Sequence, residues 1–299
     1  MLVRTNSSQD TRPAVGILAG WGRLPVVVAE AMRREGMRVC CLGVRRHAEE
    51  QVLRPEVDDF RWVGAAQLGA AIRYFQSQGV TRATLAGKFH KSDLYRPWSW
   101  FHYFPDAVSL RAFYPHFVSN TADRRDDTLL GVIVKTFAEH GIELAPATDF
   151  SPNLLVGEGQ IAGKPLTPNQ MADVRFGWRL AREMGRLDIG QSVCVKNQTA
   201  IAIEAIEGTD LCIQRAGQLC GEGGFTVVKV AKPSQDMRFD VPTIGLKTLN
   251  TMRAAGGRVL AVEAEKTILL DIDNFRREAD LAGIQVVSVQ PESAGEAAA

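Results

Sequence analysis

Apolar residues in the first half of the chain fall into short runs that alternate with stretches of helical spacing. The run at residues 14–19 (AVGILA) predicts a buried strand, and a glycine-rich turn separates it from a helix expected over residues 25–35. Residues 38–44 and 83–87 predict two further strands, with a helix over residues 68–78 between them. This strand–helix–strand rhythm is typical of a parallel sheet covered by helices. We therefore predict an α/β protein with a Rossmann-like N-terminal domain.

The pattern of apolar positions changes in the second half of the chain. Residues 146–163 are rich in proline, glycine and polar side chains, which favours a linker and places the domains at residues 1–145 and 146–299. Thr167 and Pro168 are typical of a helix start. The later apolar runs predict a distinct mixed α/β C-terminal domain, with a hairpin over 192–206, a strand over 226–230, a helix over 246–255, a strand pair formed by 259–263 and 267–271, and a last strand over 285–289.

Composition and charge narrow the class of protein. The 299 residues are 45% hydrophobic and 23% charged, and the formal net charge of +1 argues against a nucleic-acid partner. The five cysteines form no C-x-x-C pair and stand at no ligand spacing from the histidines, so we expect buried thiols and no zinc site. The N-terminal residues lack the features of a signal peptide, and no run of about 18 apolar residues occurs. We therefore expect a soluble, cytoplasmic protein.

The turn after the first strand contains Gly20 and Gly22 and is followed by Pro25. Backbone N–H groups in such a turn can approach a phosphate at the N-terminus of the next helix. Pro25 stands where the dinucleotide fingerprint has its third glycine, and Arg45 and Arg46 end the next strand without an acid for a ribose. These features disfavour NAD and leave an NADP-dependent oxidoreductase as an alternative function. A tight turn without a ligand is the alternative structural interpretation.

Basic residues follow the strand predicted over residues 83–87. They are Lys88, His90 and Lys91. Because open α/β sheets bind ligands at the carboxyl ends of their strands, these side chains are candidates for contacting a phosphate, Lys88 above all. A solvated basic loop explains them equally well.

Aromatic residues make up 7% of the chain, yet eight of them cluster between residues 98 and 117. Prolines at positions 97, 105 and 115 argue against one continuous helix over this stretch. A wall for acyl chains or a surface that dips into a membrane is one interpretation. Ordinary core or a homodimer contact is the other.

A polar segment, residues 229–245, follows a predicted strand and precedes a predicted helix. It contains Lys232, Gln235, Arg238 and Asp240. Pyrophosphate hydrolysis is favoured by this mixture, because cations neutralise the developing charge and a carboxylate positions a divalent metal or a water. The alternative is a polar loop in which Asp240 caps the following helix.

A second polar segment, residues 204–210, leaves a predicted strand and turns at Gly208. Thr209 and Asp210 stand at the start of the next predicted helix, where capping is a sufficient explanation for both. Binding of a metal or of a ribose is the sharper alternative.

Together these segments resemble the UDP-2,3-diacylglucosamine pyrophosphatase family, in its two-domain form without the metallophosphoesterase fold. The resemblance spans residues 14 to 290 and is carried by residues 16–25, 185–191 (GRLDIGQ), 204–210 (EAIEGTD) and 232–245 (KPSQDMRFDVPTIG). It implies hydrolysis of UDP-2,3-diacylglucosamine to UMP and 2,3-diacylglucosamine 1-phosphate in lipid A biosynthesis. It also implies a divalent cation, magnesium by preference, and a lipid substrate between the two domains.

The resemblance assigns the family's essential aspartate to Asp240, which we expect to bind the metal, to orient the attacking water, or both. The other candidates for substrate contact come from the segments described above: Gly20, Gly22, Lys88, Thr209, Asp210, Lys232, Gln235 and Arg238. The chain contains no D-x-H or G-[ND]-H-[DE] motif, which argues against a metallophosphoesterase mechanism. The expected partner is a UDP-linked diacyl sugar lipid, with weak peripheral association with the inner membrane. A nucleotide-sugar-binding regulatory protein without catalysis is the alternative.

Overall fold

The computed structural model divides the chain into two compact units, the first ending at Ser151 and the second beginning at Pro152. Asp240, His90, Lys91 and residues 98–104 of the aromatic stretch lie outside the residues that the structure describes. The described residues are 10–88, 105–117, 126–233, 235–239 and 241–291.

The described part of the first unit forms a helix-covered parallel sheet. Its elements are β1 (Ala14–Ala19), α1 (Leu24–Arg34), β2 (Arg38–Val44), α2 (Glu50–Leu53), a 3-10 turn (Arg54–Glu56), β3 (Asp59–Val63), α3 (Leu68–Ser77), β4 (Arg82–Ala86), α4 (Ala107–Phe117), α5 (Asp126–Glu139), β5 (Glu143–Leu144) and α6 (Ala147–Phe150). The five strands are parallel and lie in the order β3-β2-β1-β4-β5. This order confirms the Rossmann-like prediction. It also places a topological switch between β1 and β4, where α/β sheets bind ligands.

The central strands of the first unit are apolar because both of their faces are covered. Ile17 of β1 and Cys40 and Cys41 of β2 are fully buried, and burial raises the pKa of the Cys41 thiol to about 12. All five cysteines of the chain are free thiols. The buried thiols expected from the sequence are therefore confirmed for this adjacent pair.

The second unit contains a mixed sheet. Its described elements are a 3-10 turn (Pro152–Leu154), β6 (Gly159–Ala162), α7 (Pro168–Arg186), β7 (Ser192–Lys196), β8 (Thr199–Ile203), α8 (Thr209–Leu219), β9 (Thr226–Lys229), β10 (Thr243–Ile244), α9 (Leu246–Ala255), β11 (Val259–Glu263), β12 (Ile268–Leu269), α10 (Ile272–Ala282) and β13 (Gln285–Val289). The main sheet has the strand order β6-β13-β11-β9-β7-β8. Strands β9, β11 and β13 are parallel, whereas β6, β7 and β8 each run antiparallel to the strand beside them.

Helices cover both faces of the second sheet. On one face, α7 packs its fully buried Trp178 against alternate residues of the central strands, including Val228. On the other face, α8, α9 and α10 contribute Ile213, Met252 and Phe275 to a second apolar cluster. The alternation along each strand therefore decides which helical layer a side chain meets.

Two details of the second unit differ from the sequence prediction. Residues 159–162 form β6 and pair with β13, so this part of the expected linker belongs to the sheet. The segments 259–263 and 267–271 do not pair with each other among the described strands, because β11 lies between β9 and β13 while β12 pairs with β10. The two neighbouring apolar runs predicted a strand pair, but each of them forms parallel pairs with strands from other parts of the chain.

Candidate active site

The glycine turn of the first unit lies against the segment that follows β4. The N–H of Gly20 donates to the carbonyl of Ala86 at 2.8 Å, and Trp21 and Lys88 exchange backbone hydrogen bonds of 2.9 and 2.8 Å. A Cβ on Gly20 would stand 2.7 Å from the Lys88 carbonyl oxygen, so glycine is needed for this approach. Gly22 has a φ of +102°, which also favours glycine. The structure thus places Gly20, Gly22 and Lys88 together at the carboxyl ends of β1 and β4.

Three segments named in the sequence meet at one edge of the second sheet: residues 185–191, 204–210 and 230–239. A Cβ on Gly190 would lie 2.2 Å from the Glu204 carbonyl oxygen, and a Cβ on Gly185 would lie 3.1 Å from Cδ of Pro233. Each glycine therefore lets one of the other two segments approach. This edge is where β7 begins and β9 ends, with Ser192 opposite Lys229.

A buried polar network lies between these segments. Ser192 is 0% exposed, and Glu204 and Lys229 are each 7% exposed. The hydroxyl of Thr209 donates to Oε1 of Glu204 at 3.1 Å, accepts from Nζ of Lys229 at 3.0 Å and lies 3.2 Å from Oγ of Ser192. Since a hydroxyl has one proton and two acceptor positions, these contacts use its full capacity. The predicted site residue Thr209 therefore connects the strand ends to the start of α8.

Glu204 keeps one oxygen without a protein partner. Its Oε2 is buried and makes no hydrogen bond to any described residue. Such groups are uncommon in folded proteins, and a ligand, ion or water is the usual explanation. The neighbouring predicted residue Asp210 is engaged instead, because its carboxylate lies 2.9 Å from Nζ of Lys247.

The segment after β9 brings Lys232, Gln235 and Arg238 into one loop. Nζ of Lys232 lies 2.5 Å from Oδ1 of Asp188, which belongs to the segment 185–191. The backbone N–H of Gln235 donates to the Lys232 carbonyl at 2.9 Å, and its side-chain amide donates to the Phe239 carbonyl at 3.3 Å. These bonds close the loop directly before Asp240, which lies outside the described residues.

Arg238 is held by the carboxylate of Asp236. Its backbone N–H donates to Oδ1 at 3.0 Å, and its guanidinium donates to both carboxylate oxygens at 2.5 to 3.1 Å. The side-chain hydrogen bonds from Arg238 hold the pKa of Asp236 below its ordinary value, and the same bonds raise the pKa of Arg238. The guanidinium is thus oriented before any ligand is present.

The sequence prediction did not include four residues of this edge as site residues: Ser192, Glu204, Lys229 and Glu263. The last of these is 0% exposed and ends β11. A usable signal existed for Lys229 and Glu263, because each is a charged residue at the carboxyl end of an otherwise apolar strand, where α/β sheets bind ligands. Ser192 and Glu204 had no such signal, since only the fold brings their separate segments together at Thr209.

Within the described parts of the chain, no group of three or more histidine, cysteine, aspartate or glutamate side chains is arranged to hold a metal ion. The aspartates near the candidate site are paired with cations: Asp188 with Lys232 and Asp236 with Arg238. Asp210 is likewise paired with Lys247, whereas Oε2 of Glu204 has no hydrogen-bond partner among the described residues.

Two sequence models of one family match the chain. The LpxI N-terminal domain matches residues 14–154, and the LpxI C-terminal domain matches residues 157–287. The chain belongs to the LpxI family. A relative from Caulobacter vibrioides, the UDP-2,3-diacylglucosamine pyrophosphatase LpxI, is 29% identical over 286 residues, covering 93% of this chain and 98% of the relative. The two LpxI domains correspond to the two units of the structure.

Solved structures show only a distant likeness. The biotin carboxylase subunit of pyruvate carboxylase matches with a TM-score of 0.24 and 11% identity, over 70% of this chain and 32% of that one. The biotin carboxylase domain of 2-oxoglutarate carboxylase from Hydrogenobacter thermophilus matches with a TM-score of 0.26 and 11% identity, over 69% and 41%. This chain thus spans less than half the length of either protein. TM-scores this low carry no argument about fold or function.

Proposed function

We propose that this chain hydrolyses the pyrophosphate bond of UDP-2,3-diacylglucosamine and releases UMP and 2,3-diacylglucosamine 1-phosphate in lipid A biosynthesis. The match to both LpxI domains over nearly the whole chain carries the proposal, together with the name of the Caulobacter relative. The geometry supports it, because three of the four segments that carry the resemblance, those around residues 185–191, 204–210 and 232–239, meet at one edge of the second sheet. In the reaction, the oxygen of a water bonds to one phosphorus while the bridging P–O bond breaks.

Lys232 and Arg238 supply positive charge to this reaction. The Arg238 side chain is 38% exposed and is oriented by Asp236, so it can donate to a phosphate oxygen without reorganising. Lys232 lies three residues after the end of β9 and is oriented by Asp188. Both cations neutralise the charge that develops as the pyrophosphate bond breaks. Gln235 lies between them and is the third candidate for contact with the phosphates.

Asp240 is the proposed catalytic residue, as a ligand of Mg²⁺, as the group that orients the attacking water, or both. A single carboxylate fits this cation, because Mg²⁺ is usually held by one or two carboxylates together with substrate phosphates. Asp188 and Asp236 are each paired with a cation, which agrees with a metal held by one carboxylate and the substrate phosphates. When bound, the ion would supply charge stabilisation to the phosphates.

The test incubates the protein with UDP-2,3-diacylglucosamine, first with magnesium and then with a chelator. Chromatography measures the UMP that is released. We expect magnesium-dependent release that is lost in Asp240→Ala and kept in the control Asp273→Ala, an exposed aspartate in the first turn of α10. Asp240 would be abandoned as the catalytic centre if Asp240→Ala kept more than about a tenth of the activity, about 1.4 kcal/mol of barrier. No UMP from folded wild-type protein would contradict the proposed function itself.

The substrate carries two acyl chains, which raises the question of how the protein meets a bilayer. None of the described helices combines the length and apolar composition needed to cross a membrane. We propose that the protein is cytoplasmic and associates weakly with the inner membrane at its surface. Flotation with vesicles of phosphatidylethanolamine and phosphatidylglycerol, with and without substrate, tests this, and absence of co-flotation in both cases contradicts it. We also propose that the chain forms a homodimer. Light scattering of the purified protein tests this, and the mass of a single chain, 32.7 kDa, would contradict it.

A further inference from the structure

We propose that Glu263 is a positioning residue that holds the segment carrying Lys232 and Arg238 at the edge of the second sheet. Glu263 is the last residue of β11 and is fully buried. Its Oε2 accepts a hydrogen bond of 2.8 Å from the backbone N–H of Ala231, the residue before Lys232. The inference rests on the function proposed above, since it concerns the geometry of that site.

Glu263 acts where the chain leaves the sheet. Strand β9 pairs with β11 as far as Lys229 opposite Val262, and the ladder between them ends there. The backbone N–H of Ala231, two residues after Lys229, donates its hydrogen bond to the Glu263 side chain. A side chain thus continues the hydrogen bonding of the sheet into the site segment.

The carbonyl of Ala231 is bound as well. Nη1 of Arg182, from α7, donates to this oxygen at 3.4 Å and lies 3.8 Å from Oε1 of Glu263. Both backbone polar groups of Ala231 are therefore held by side chains that also attract each other. This closed arrangement fixes the direction in which the chain enters Lys232.

The charge of Glu263 is compensated, which a buried carboxylate requires. Nζ of Lys266 lies 3.1 Å from its Oε1, in addition to Arg182. Neither contact of Oε1 has the geometry of a hydrogen bond, so Oε1 is held by its attraction to the two cations. Oε2 is held by the hydrogen bond from Ala231. The carboxylate is therefore fixed on both sides and can serve as a rigid anchor.

Loss of the anchor is expected to impair turnover more than binding. The loop from Lys232 to Phe239 is closed by its own hydrogen bonds, so it shifts as a unit when its entry point is freed. A displacement of about 1 Å in a reacting group can cost on the order of a hundredfold in rate. We expect substrate groups that bind outside this loop to be little affected by such a shift, so KM should change less than kcat.

The experiment compares Glu263→Ala and Glu263→Gln with a matched control, Asp173→Ala. Asp173 is a buried carboxylate of α7 that also accepts backbone N–H groups, from Asn197 at 3.2 Å and Gln198 at 2.6 Å, at the far end of β7 from Ser192. We expect Glu263→Ala to lower kcat for UMP release at least about tenfold with KM within about twofold. Glu263→Gln keeps an acceptor for Ala231 and should retain most of kcat. Asp173→Ala should lower the Tm by a similar amount and leave kcat unchanged.

Hydrogen exchange of the backbone amides at residues 231–240 gives a second readout that needs no activity. Faster exchange there in Glu263→Ala, but not in Asp173→Ala, is the expected result. Equal loss of kcat in both variants, or unchanged exchange at 231–240, would overturn the positioning role. If wild-type protein releases no UMP, the proposed function fails, while the exchange result still decides whether Glu263 anchors the segment. If Glu263→Ala does not fold, Glu263→Met fills a similar volume without an acceptor for the Ala231 N–H, and unchanged exchange at 231–240 in that variant overturns the proposal.

Discussion

The ammonium of Lys229 donates a 3.0 Å hydrogen bond to the hydroxyl of Thr209, which joins the end of β9 to the start of α8. The same hydroxyl donates to Glu204. One oxygen atom therefore connects the end of β9, the start of α8 and the turn between β8 and α8. Because Lys229 and Glu204 are both buried, neither can replace this partner with bulk water.

Thr209→Val tests the energetic weight of this hydroxyl. The substitution keeps the shape of the side chain but leaves Lys229 and Glu204 without their shared partner. We expect the free energy of unfolding to fall by about 1–3 kcal/mol, the usual range for buried polar groups left unsatisfied. Urea denaturation measures it, with Thr251→Val as control, since that hydroxyl bonds only to the Lys247 carbonyl of its own helix. Equal effects in the two variants would contradict the network.

Gly190→Ala tests the contact between two segments of the site. Its new Cβ would stand 2.2 Å from the Glu204 carbonyl oxygen, and a backbone atom cannot move away cheaply. Overpacking of this kind costs about 1–3 kcal/mol, and we expect a loss of at least this size in chemical denaturation. Gly221→Ala is the control, because a Cβ there meets no atom within 4 Å. A neutral Gly190→Ala would show that the two segments do not pack as described.

The Asp236–Arg238 pair predicts a dependence on pH with a definite sign. The pKa of Asp236 is held below its ordinary value of 3.8 by Arg238. Its contribution to stability is therefore complete above pH 3.8 and is lost as the pH falls through the lower pKa of the folded state. An NMR titration of the Asp236 carboxyl should show the depressed pKa in the wild type and a value closer to 3.8 in Arg238→Leu. The same pKa in both proteins would contradict the pairing.

Lys232→Met tests the proposed role of that ammonium on the phosphates. Removing a cation that stabilises charge in the transition state should lower kcat/KM for UMP release at least about tenfold. Lys164→Met, at an exposed position outside the site edge, should leave kcat/KM unchanged. If both variants retain wild-type activity, the contact between Lys232 and phosphate is to be rejected.

Much of the fold was accessible from the sequence because apolar runs and helix starts are local signals. Strand β1, the glycine turn and helix α1 follow directly from such a run and from Pro25. Thr167 forms the predicted cap of α7, where its side chain accepts from the backbone N–H of Gln170. Local chemistry decides these features, and no distant partner is needed.

Other features depend on partners that are remote in the chain. Strand β6 (GQIA) is short and partly polar, so only its pairing with β13 makes it a strand. Strand β11 pairs with β9 and β13, and no periodicity indicates which partners a buried strand selects. The anchor between Ala231 and Glu263 joins residues with no shared motif. The sequence could therefore name the segments of the site but not the buried residues that connect them.

The pairing of β6 with β13 has a consequence for the connectivity of the second unit. These are its first and last strands, and they lie side by side at one edge of the sheet. The start of β6 lies beside the end of β13, so a short linker could join these two ends. With new termini opened in the tight turn at Asn197 and Gln198, the result would be a circular permutant of this unit with every strand in its present place. The geometry around Thr209 and Glu263 depends on which strands are neighbours, and not on the order in which the polypeptide visits them.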